Sequence, residues 1–336
     1  LTQSVLLNND LHDCLGDGLF VRANAITIDL NGHTIDGIGV AAGIRNDGYD
    51  SVVVKNGTVV EFDYCVMLNP GTERNIVELM TLRNNQEAGV GLGMVPHPTS
   101  PTLPFPEPPP PTFQSNVKDN TIRDNAILVN DTGIWLTNGA RGTLIRNNDL
   151  SANTKGGILL ERSSNNRVES NQIIGSSDPA IELLGASGNT ILANTLAENG
   201  GGVYLGITDS SSGSMPSNGN VVEGNDISES GGPAIEISGS SNGTINSNQI
   251  LDNVATFSNG EGVQLYFARN TLVRGNDLRA NKGGISLSNA SDNRLEFNDA
   301  SESEGTGISL QALSLNNDLV GNISNNNTGA RIYVGD

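Results

Sequence analysis

One short sequence motif recurs along the 336 residues of this chain. Each copy contains Asn-x-[Ile/Leu], a short polar turn and then Gly/Ala-[Ile/Val]-x-[Ile/Leu], as in NNDLSANTKGGILL (147–160) and GNDISESGGPAIEI (224–237). The variable residue of the closing segment advances by 22 to 24 positions in eight of its eleven steps. These variable residues are Arg45, Met67, Gly91, Trp135, Leu159, Glu182, Tyr204, Glu236, Gln264, Ser286, Ser309 and Tyr333. A fixed period of this length is typical of stacked repeat units.

The repeat predicts coils built from short strands. Alternate residues of each segment are aliphatic, as in a strand with one buried face. A single coil cannot bury that face, whereas stacked coils share a continuous core. The LxxLxLxxN order of leucine-rich repeats is absent. We therefore expect an all-β, single-stranded right-handed parallel β-helix of about 12 coils with three insertions, forming one domain over residues 1–336 with residues 1–20 as its N-terminal cap.

Recurrent asparagines mark the turns of the predicted coils. Their amide groups can satisfy backbone polar groups in a bend and tolerate its conformation. We expect one stacked corner made of Asn148, Asn171, Asn194, Asn225, Asn248, Asn276, Asn298 and Asn322. Beyond the last predicted strand, ARIYVGD, an uncovered edge would be prone to association, so we expect a further domain or subunit at the C-terminal end.

Charge and composition exclude several kinds of partner. The net charge of −19 argues against binding nucleic acid or an anionic membrane surface, because phosphates need a basic surface. No run of 18 apolar residues is present, so we expect no membrane insertion. Two cysteines, Cys14 and Cys65, provide neither a disulfide framework nor a CxxC zinc pattern.

No metal or cofactor motif is found. Aspartate and asparagine in corner turns offer oxygen ligands of the kind that Ca²⁺ takes. However, neither an EF-hand loop nor a GGxGxDxUx repeat is present. We expect no cofactor and no metal site.

The segments ITIDLNGHTIDG (26–37) and SVVVKNGTVVEF (51–62), with the Asn-rich coils after them, resemble the NosD-like right-handed parallel β-helix proteins. The resemblance covers residues 18 to 334. It implies a place in a broad group of carbohydrate-binding proteins and sugar hydrolases, which includes polysaccharide lyases, uronan epimerases, glycosidases and exported proteins. The DPHD-type signature of alginate epimerases is absent. The resemblance also implies a secreted, periplasmic or cell-surface location.

Three steps of the repeat are longer than one coil. We assign the extra residues to a Pro-rich loop at 93–115, a second loop at 207–219 and a third at 254–262. Insertions in solenoids commonly form the walls of binding sites. All three are expected to flank the sheet that carries the variable residues.

The outward residues of that sheet have the composition of a sugar-binding surface, in which rings stack on pyranose faces and polar groups bind hydroxyls. Glu182 and Glu236 are expected two strands apart, about 9.6 Å between Cα atoms, which suits the two carboxylates of an inverting glycosidase. Asp178 is a third candidate catalytic acid. Predicted substrate-binding residues are Trp135, Glu161, Tyr204, Gln264 and Tyr266.

The favoured hypothesis is an extracellular protein that binds a polysaccharide or oligosaccharide along one parallel sheet and hydrolyses it. Three alternatives stay open: a glycan-binding or adhesive module without chemistry, a structural surface repeat, and a uronan lyase or epimerase. Elimination needs a base and a cation for the uronate carboxylate. No Lys–Arg pair is expected on the outward column, so the last alternative has less support.

Overall fold

The computed structural model describes residues 1–94, 116–210 and 213–335. The Pro-rich insertion predicted at 93–115 lies outside the described residues from position 95 onward. The chain divides into two compact units, Leu1–Asn166 and Arg167–Asp336. The expectation of a single domain stays a prediction. Within the described residues, both units consist of strands and turns and contain no helix.

The first unit is a stack of parallel strands joined by short turns. One series pairs in the order β1, β4, β7, β9, β11, β14, and a second in the order β3, β6, β8, β10, β13, β15. Residues 1–20 already belong to this stack, because β1, β2 and β3 pair in parallel with β4, β5 and β6. The strands are β1 (Val5–Leu6), β2 (Leu11–Cys14), β3 (Leu19–Val21), β4 (Thr27–Asp29), β5 (Thr34–Gly37), β6 (Ala42–Asn46), β7 (Val53–Val60), β8 (Tyr64–Leu68), β9 (Ile76–Arg83), β10 (Ala88–Leu92), β11 (Thr121–Arg123), β12 (Ala126–Leu128), β13 (Thr132–Leu136), β14 (Leu144–Arg146) and β15 (Ile158–Glu161).

The second unit repeats this architecture. Parallel strands pair in the order β16, β19, β23, β27, β31, β33, β35, and in the order β18, β21, β25, β29, β32, β34, β36, with β17, β20, β24 and β28 forming a third series. The strands are β16 (Arg167–Glu169), β17 (Gln172–Ile174), β18 (Pro179–Leu184), β19 (Thr190–Leu192), β20 (Thr195–Ala197), β21 (Gly201–Ser210), β22 (Gly213–Pro216), β23 (Val221–Glu223), β24 (Asp226–Ser228), β25 (Ile235–Ser238), β26 (Ile245–Asn246), β27 (Gln249–Leu251), β28 (Val254–Thr256), β29 (Glu261–Tyr266), β30 (Ala268–Arg269), β31 (Leu272–Arg274), β32 (Gly283–Ser288), β33 (Arg294–Glu296), β34 (Ile308–Gln311), β35 (Asp318–Val320) and β36 (Ile332–Val334).

The predicted parallel β-helix is therefore confirmed as the fold. Its core consists of aliphatic columns, one residue from each successive strand. In the second unit, Ile181, Val203, Ile235, Val263, Ile285 and Ile308 form one such column. All six are at most 1% exposed. Each such side chain contributes about 1.5–3 kcal/mol by leaving water, so the columns hold the coils in register.

Asparagines form ladders at three corners rather than at the single corner predicted. Within one ladder, the backbone N–H and side-chain amide of each asparagine donate to the side-chain oxygen of the next, as Asn194 does to Asn225 at 2.9 and 3.0 Å. In the second unit this ladder contains Asn171, Asn194, Asn225, Asn253, Asn276, Asn298 and Asn322.

The prediction was wrong for Asn248, which lies in a different ladder and accepts a hydrogen bond from Asn220. Asn253 takes the predicted place of Asn248, because Asn225 donates to its side-chain oxygen. The two asparagines stand five positions apart in the chain, one at each end of β27. Both ladders bury their amides, so both satisfy turn backbone that water cannot reach.

The second insertion is a β-hairpin. Strand β21 continues past the core-facing Leu205, and β22 pairs with it antiparallel, with Ile207 opposite Pro216 and Thr208 opposite Met215. Ser217 returns the chain to the coil by hydrogen bonding the carbonyls of Leu183 and Gly206 at 3.0 and 2.8 Å. Because β21 runs directly into the hairpin, the extra chain is anchored at one end of the sheet.

The position predicted for the third insertion was wrong. Residues 254–256 form β28, which pairs with β24 without an extra residue. Asn248 follows Glu236 by twelve positions, whereas Asn189 follows Glu182 by seven. The additional residues therefore lie between Glu236 and Asn248, in a turn closed by hydrogen bonds between Ser240 and Gly243. The second and third insertions thus leave the sheet at the same end.

Cys14 and Cys65 are free thiols, and Cys65 is buried. Among the described residues, no helix has the length and hydropathy needed to cross a bilayer. The further domain or subunit expected at the C-terminal end stays a prediction.

Candidate functional site

One column of outward-facing side chains runs through the second unit. We name it the Glu236 column; its strands, β18, β21, β25, β29, β32, β34 and β36, form the Glu236 sheet. Each member lies directly opposite the next on the neighbouring strand. The members are Glu182, Tyr204, Glu236, Gln264, Ser286, Ser309 and Tyr333. The structure therefore places Glu182 and Glu236 two strands apart with Tyr204 between them.

The ring of Tyr204 lies over Gly206 on the same strand. A Cβ atom at Gly206 would stand 2.5 Å from Cε1 of Tyr204 and 3.0 Å from Cδ2 of Leu184, so the glycine leaves the space that the ring occupies. In this orientation the Tyr204 hydroxyl forms a hydrogen bond with Ser238 on β25. The ring is consequently held against the sheet beside Glu236.

Glu236 is half-buried at the centre of the column. Burial raises the pKa of its carboxyl, a hydrogen bond with Ser238 lowers it, and the charge of Glu261 raises it again. Burial likewise raises the pKa of the Tyr204 hydroxyl, with the charges of Glu236 and Glu182 adding to that effect. A carboxyl whose protonated form is favoured in this way has the property required of a general acid.

An open cleft of about 700 Å³ lies beside Glu236 on the same sheet. Gln264, Ser286 and Ser309 of the Glu236 column line it. Glu261, the first residue of β29, adds a charged group, as do Lys282 and Glu304 from the turns before β32 and β34. Backbone of several glycines, including Gly260 and Gly283, completes the wall. The cleft thus offers hydroxyl, amide and carboxylate groups along a sheet to which each coil contributes one strand.

The sequence interpretation stopped the site at Gln264 and Tyr266 and missed the cleft. Ser286, Ser309 and Tyr333 were visible as further members of the column. Glu261, the first residue of β29, lay within the predicted insertion 254–262 but was not singled out, and Glu304 lies in a turn whose residues do not repeat. Lys282 was visible only as a turn residue in NKGG.

The other predicted residues of the second unit lie at the edges of this surface. Tyr266 is exposed and contacts Phe267 edge-to-face, with ring centroids 4.6 Å apart. Asp178 is exposed in the turn before β18. A catalytic role for Asp178 and a substrate-binding role for Tyr266 stay predictions.

Trp135 and Glu161 belong to the first unit. Trp135 is half-buried and packs with Tyr64 against Met67 and Met94. These side chains fill the space above Gly91, where a Cβ atom would stand 2.9 Å from Tyr64. Apolar packing against these side chains therefore accounts for the position of the ring. Its role as a sugar platform stays a prediction.

Glu161 accepts a hydrogen bond from Thr137 at 3.5 Å and lies 4.0 Å from Nε of Arg162. Its contact with a substrate stays a prediction. Across the described parts of both units, no three His, Cys, Asp or Glu side chains converge in a way that would hold a metal ion. The expectation that no cofactor is needed stays a prediction.

Comparison with known proteins agrees with this architecture. The family model described as "Right handed beta helix region" matches residues 110–214, 132–258 and 216–336, which together span more than half of the chain. The chain belongs to the right-handed β-helix family. Membership of the NosD-like subgroup stays a prediction. No curated protein matches its sequence.

Several solved β-helices are similar in structure. The A-module of the mannuronan C-5 epimerase AlgE6 from Azotobacter vinelandii is 11% identical, with a TM-score of 0.59 over 98% of this chain and 88% of that one. The Dettilon tailspike protein gp208 is 11% identical, with a TM-score of 0.63 over 98% and 62%. The periplasmic alginate epimerase AlgG is 15% identical, with a TM-score of 0.51 over 91% and 78%. At these identities the likeness shows the fold.

Proposed function

We propose that this β-helix binds an extended polysaccharide or oligosaccharide along the Glu236 sheet and hydrolyses it, with Glu236 as the proton donor. The observation that carries the proposal is the aligned column of hydrogen-bonding side chains, Tyr204, Glu236, Gln264 and Ser286, beside an open cleft. Neighbouring strands rise by about 4.8 Å, so a chain lying along the column meets a new polar side chain at every coil.

The chemistry follows from the two carboxylates of the column. Glu236, whose protonated form is favoured by burial, would protonate the glycosidic oxygen. Glu182, two strands away, would activate a water molecule on the opposite face of the sugar. Tyr204, between them, would contact the sugar ring through its own ring and hydroxyl. This arrangement corresponds to inversion at the anomeric carbon.

The names of the similar β-helices agree with a polysaccharide as partner, because two of them act on mannuronan or alginate. We extend the polysaccharide partner to this chain as part of the proposal. A location outside the cytoplasm, secreted, periplasmic or at the cell surface, goes with such a substrate, and one similar protein is described as periplasmic.

A uronan lyase or epimerase is the alternative that the same fold permits. Both reactions need positive charge near the sugar carboxylate. Among the described residues of the Glu236 column and the cleft, Lys282 alone supplies it. The Glu236 column and the cleft therefore fit hydrolysis or binding of a glycan better than a lyase or epimerase reaction.

The test combines binding with product analysis. Wild type, Glu236→Gln and Glu182→Gln are measured against a panel of neutral, amino and acidic oligosaccharides, with release of reducing ends as the readout. Glu223→Gln, on β23 of another sheet, is the matched control. Retained binding with lost turnover in the two column variants supports hydrolysis. If the wild type binds a glycan but releases no products, the result supports a glycan-binding module. If it neither binds nor cleaves any glycan of the panel, the proposal is contradicted.

A further inference from the structure

The charges of the candidate site are nearly all of one sign. Glu182 and Glu236 belong to the Glu236 column, and Glu261 and Glu304 line the cleft. Lys282 is the one cationic side chain among the described residues of the column and the cleft. Four carboxylates thus face one ammonium group along the path proposed for the glycan.

A uronate chain carries one carboxylate on every sugar. If it lay along the column, successive carboxylates would come close to Glu182, Glu236, Glu261 and Glu304 in turn. Like charges placed together repel each other, and the repulsion is stronger at the half-buried Glu182, Glu236 and Glu261 than at the exposed Glu304, where water screens it. Lys282 offsets this repulsion at a single coil only.

The uncharged groups of the cleft suit a neutral sugar. Gln264 offers amide donors and an acceptor, and the hydroxyls of Ser286 and Thr306 both donate and accept, while the Oγ of the buried Ser309 already accepts a hydrogen bond from Gln311 at 2.7 Å. Sugar hydroxyls need this mixture of donors and acceptors. Glycine backbone on the wall lets a ring approach closely.

We propose that the cleft selects a glycan that is uncharged where it contacts Gln264, Ser286 and Ser309, and that it discriminates against polyuronates through Glu261 and Glu304. This inference rests on the proposed polysaccharide binding and specifies its substrate class. It assigns to the two glutamates a role in specificity that does not depend on turnover.

The experiment compares the charged and the esterified form of one oligosaccharide. Hexamers of galacturonate and of its methyl ester share one backbone, and the ester replaces each negative charge with an uncharged methyl ester group; cellohexaose, mannohexaose and chitohexaose serve as neutral references that show the effect of the added methyl group. Affinities are measured by calorimetry for wild type, Glu261→Gln, Glu304→Gln and the control Glu223→Gln. We expect wild type to bind the ester or a neutral reference on the order of tenfold more tightly than the free acid.

Three further results are expected. Glu261→Gln and Glu304→Gln reduce the difference in affinity between the ester and the free acid. Glu223→Gln, with the same change of net charge, leaves that difference unchanged. Raising the salt from about 0.01 M to about 1 M also narrows it, because the screening length falls from about 30 Å to about 3 Å. Equal or tighter binding of the free acid by wild type overturns the inference but not the proposed function, whereas no binding of any hexamer overturns the proposed function itself.

Discussion

Tyr204 and Gly206 depend on each other: the tyrosine ring occupies the space that a side chain at Gly206 would fill, 2.5 Å from where its Cβ would stand. The glycine therefore sets the direction of the ring. With it, the hydroxyl reaches Ser238 and lies beside Glu236. A small residue on a strand thus determines the shape of the surface next to the proposed proton donor.

Gly206→Ala is expected to displace the Tyr204 ring and break its hydrogen bond with Ser238. The displaced ring loses its proposed contact with the glycan, and the loss of one such contact is worth about 1 kcal/mol, or about fivefold in affinity. Calorimetry with the best-bound hexamer of the panel measures it. Ser288→Ala, at the equivalent position of β32, is the matched control and should bind normally. Unchanged affinity of Gly206→Ala would show that the ring does not contact the glycan.

The raised pKa of Glu236 predicts a pH-dependent stability difference. Its carboxyl ionises in the unfolded chain at about pH 4.3 and at a higher pH in the folded protein, because burial disfavours the charge. The contribution of the carboxyl to stability is therefore fully present below the unfolded pKa and is lost as the pH rises through the folded pKa.

Glu236→Gln removes this titration. Relative to wild type, we expect the free energy of unfolding of the variant to increase between about pH 3.5 and about pH 7. Urea denaturation at both pH values measures the change. Glu223→Gln controls for the reduced net charge of the protein. A difference between wild type and Glu236→Gln that stays constant across this range would contradict a raised pKa.

Much of the fold follows from sequence because it depends on periodicity. The alternation that buries Ile235 and Ile237 and turns the half-buried Glu236 outward is visible in three consecutive residues. The register of the Glu236 column follows from it, since a slip by one residue would turn every aliphatic side chain outward. The alternation and the register were both predictable because every coil repeats the same pattern.

The position of an insertion is a different kind of information. The spacing of Glu236 and Gln264 gives the length of their coil but does not say on which side the additional residues lie. A second marker is needed, and Asn248 is that marker, although the sequence interpretation had placed it in the wrong ladder. Glu261 at the start of β29 and Glu304 in a turn could not be predicted as site residues for a related reason, because neither belongs to the repeated pattern.

Asn225 is expected to be important for stability. Its side chain accepts hydrogen bonds from the backbone and amide of Asn194 and donates to the Ile191 carbonyl at 3.0 Å and to Asn253 at 2.9 Å. The residue is 1% exposed, so Asn225→Ala leaves buried partners without water. We expect a loss of about 2–4 kcal/mol in the free energy of unfolding.

Urea denaturation checks this value against Asn242→Ala. Asn242 is exposed in the turn of the third insertion, and its substitution should change the free energy of unfolding by less than about 0.5 kcal/mol. Equal effects of the two substitutions would mean that the ladders contribute little beyond the solvation of the turns.

Two deletions of equal length test the corrected position of the third insertion. Removing residues 239–243 reduces the separation of Glu236 and Asn248 to the seven positions found between Glu182 and Asn189. The coil then matches its neighbours, and we expect a folded protein. Removing residues 255–259 deletes the buried Ala255 and Ser258, which belong to the stack. That coil is too short to keep β28 and β29 in register with β24 and β25. Thermal unfolding followed by circular dichroism should therefore show a cooperative transition for the first deletion. For the second deletion, the transition should be lost or its midpoint strongly lowered. The opposite result would mean that the additional residues are residues 254–262, as the sequence had predicted.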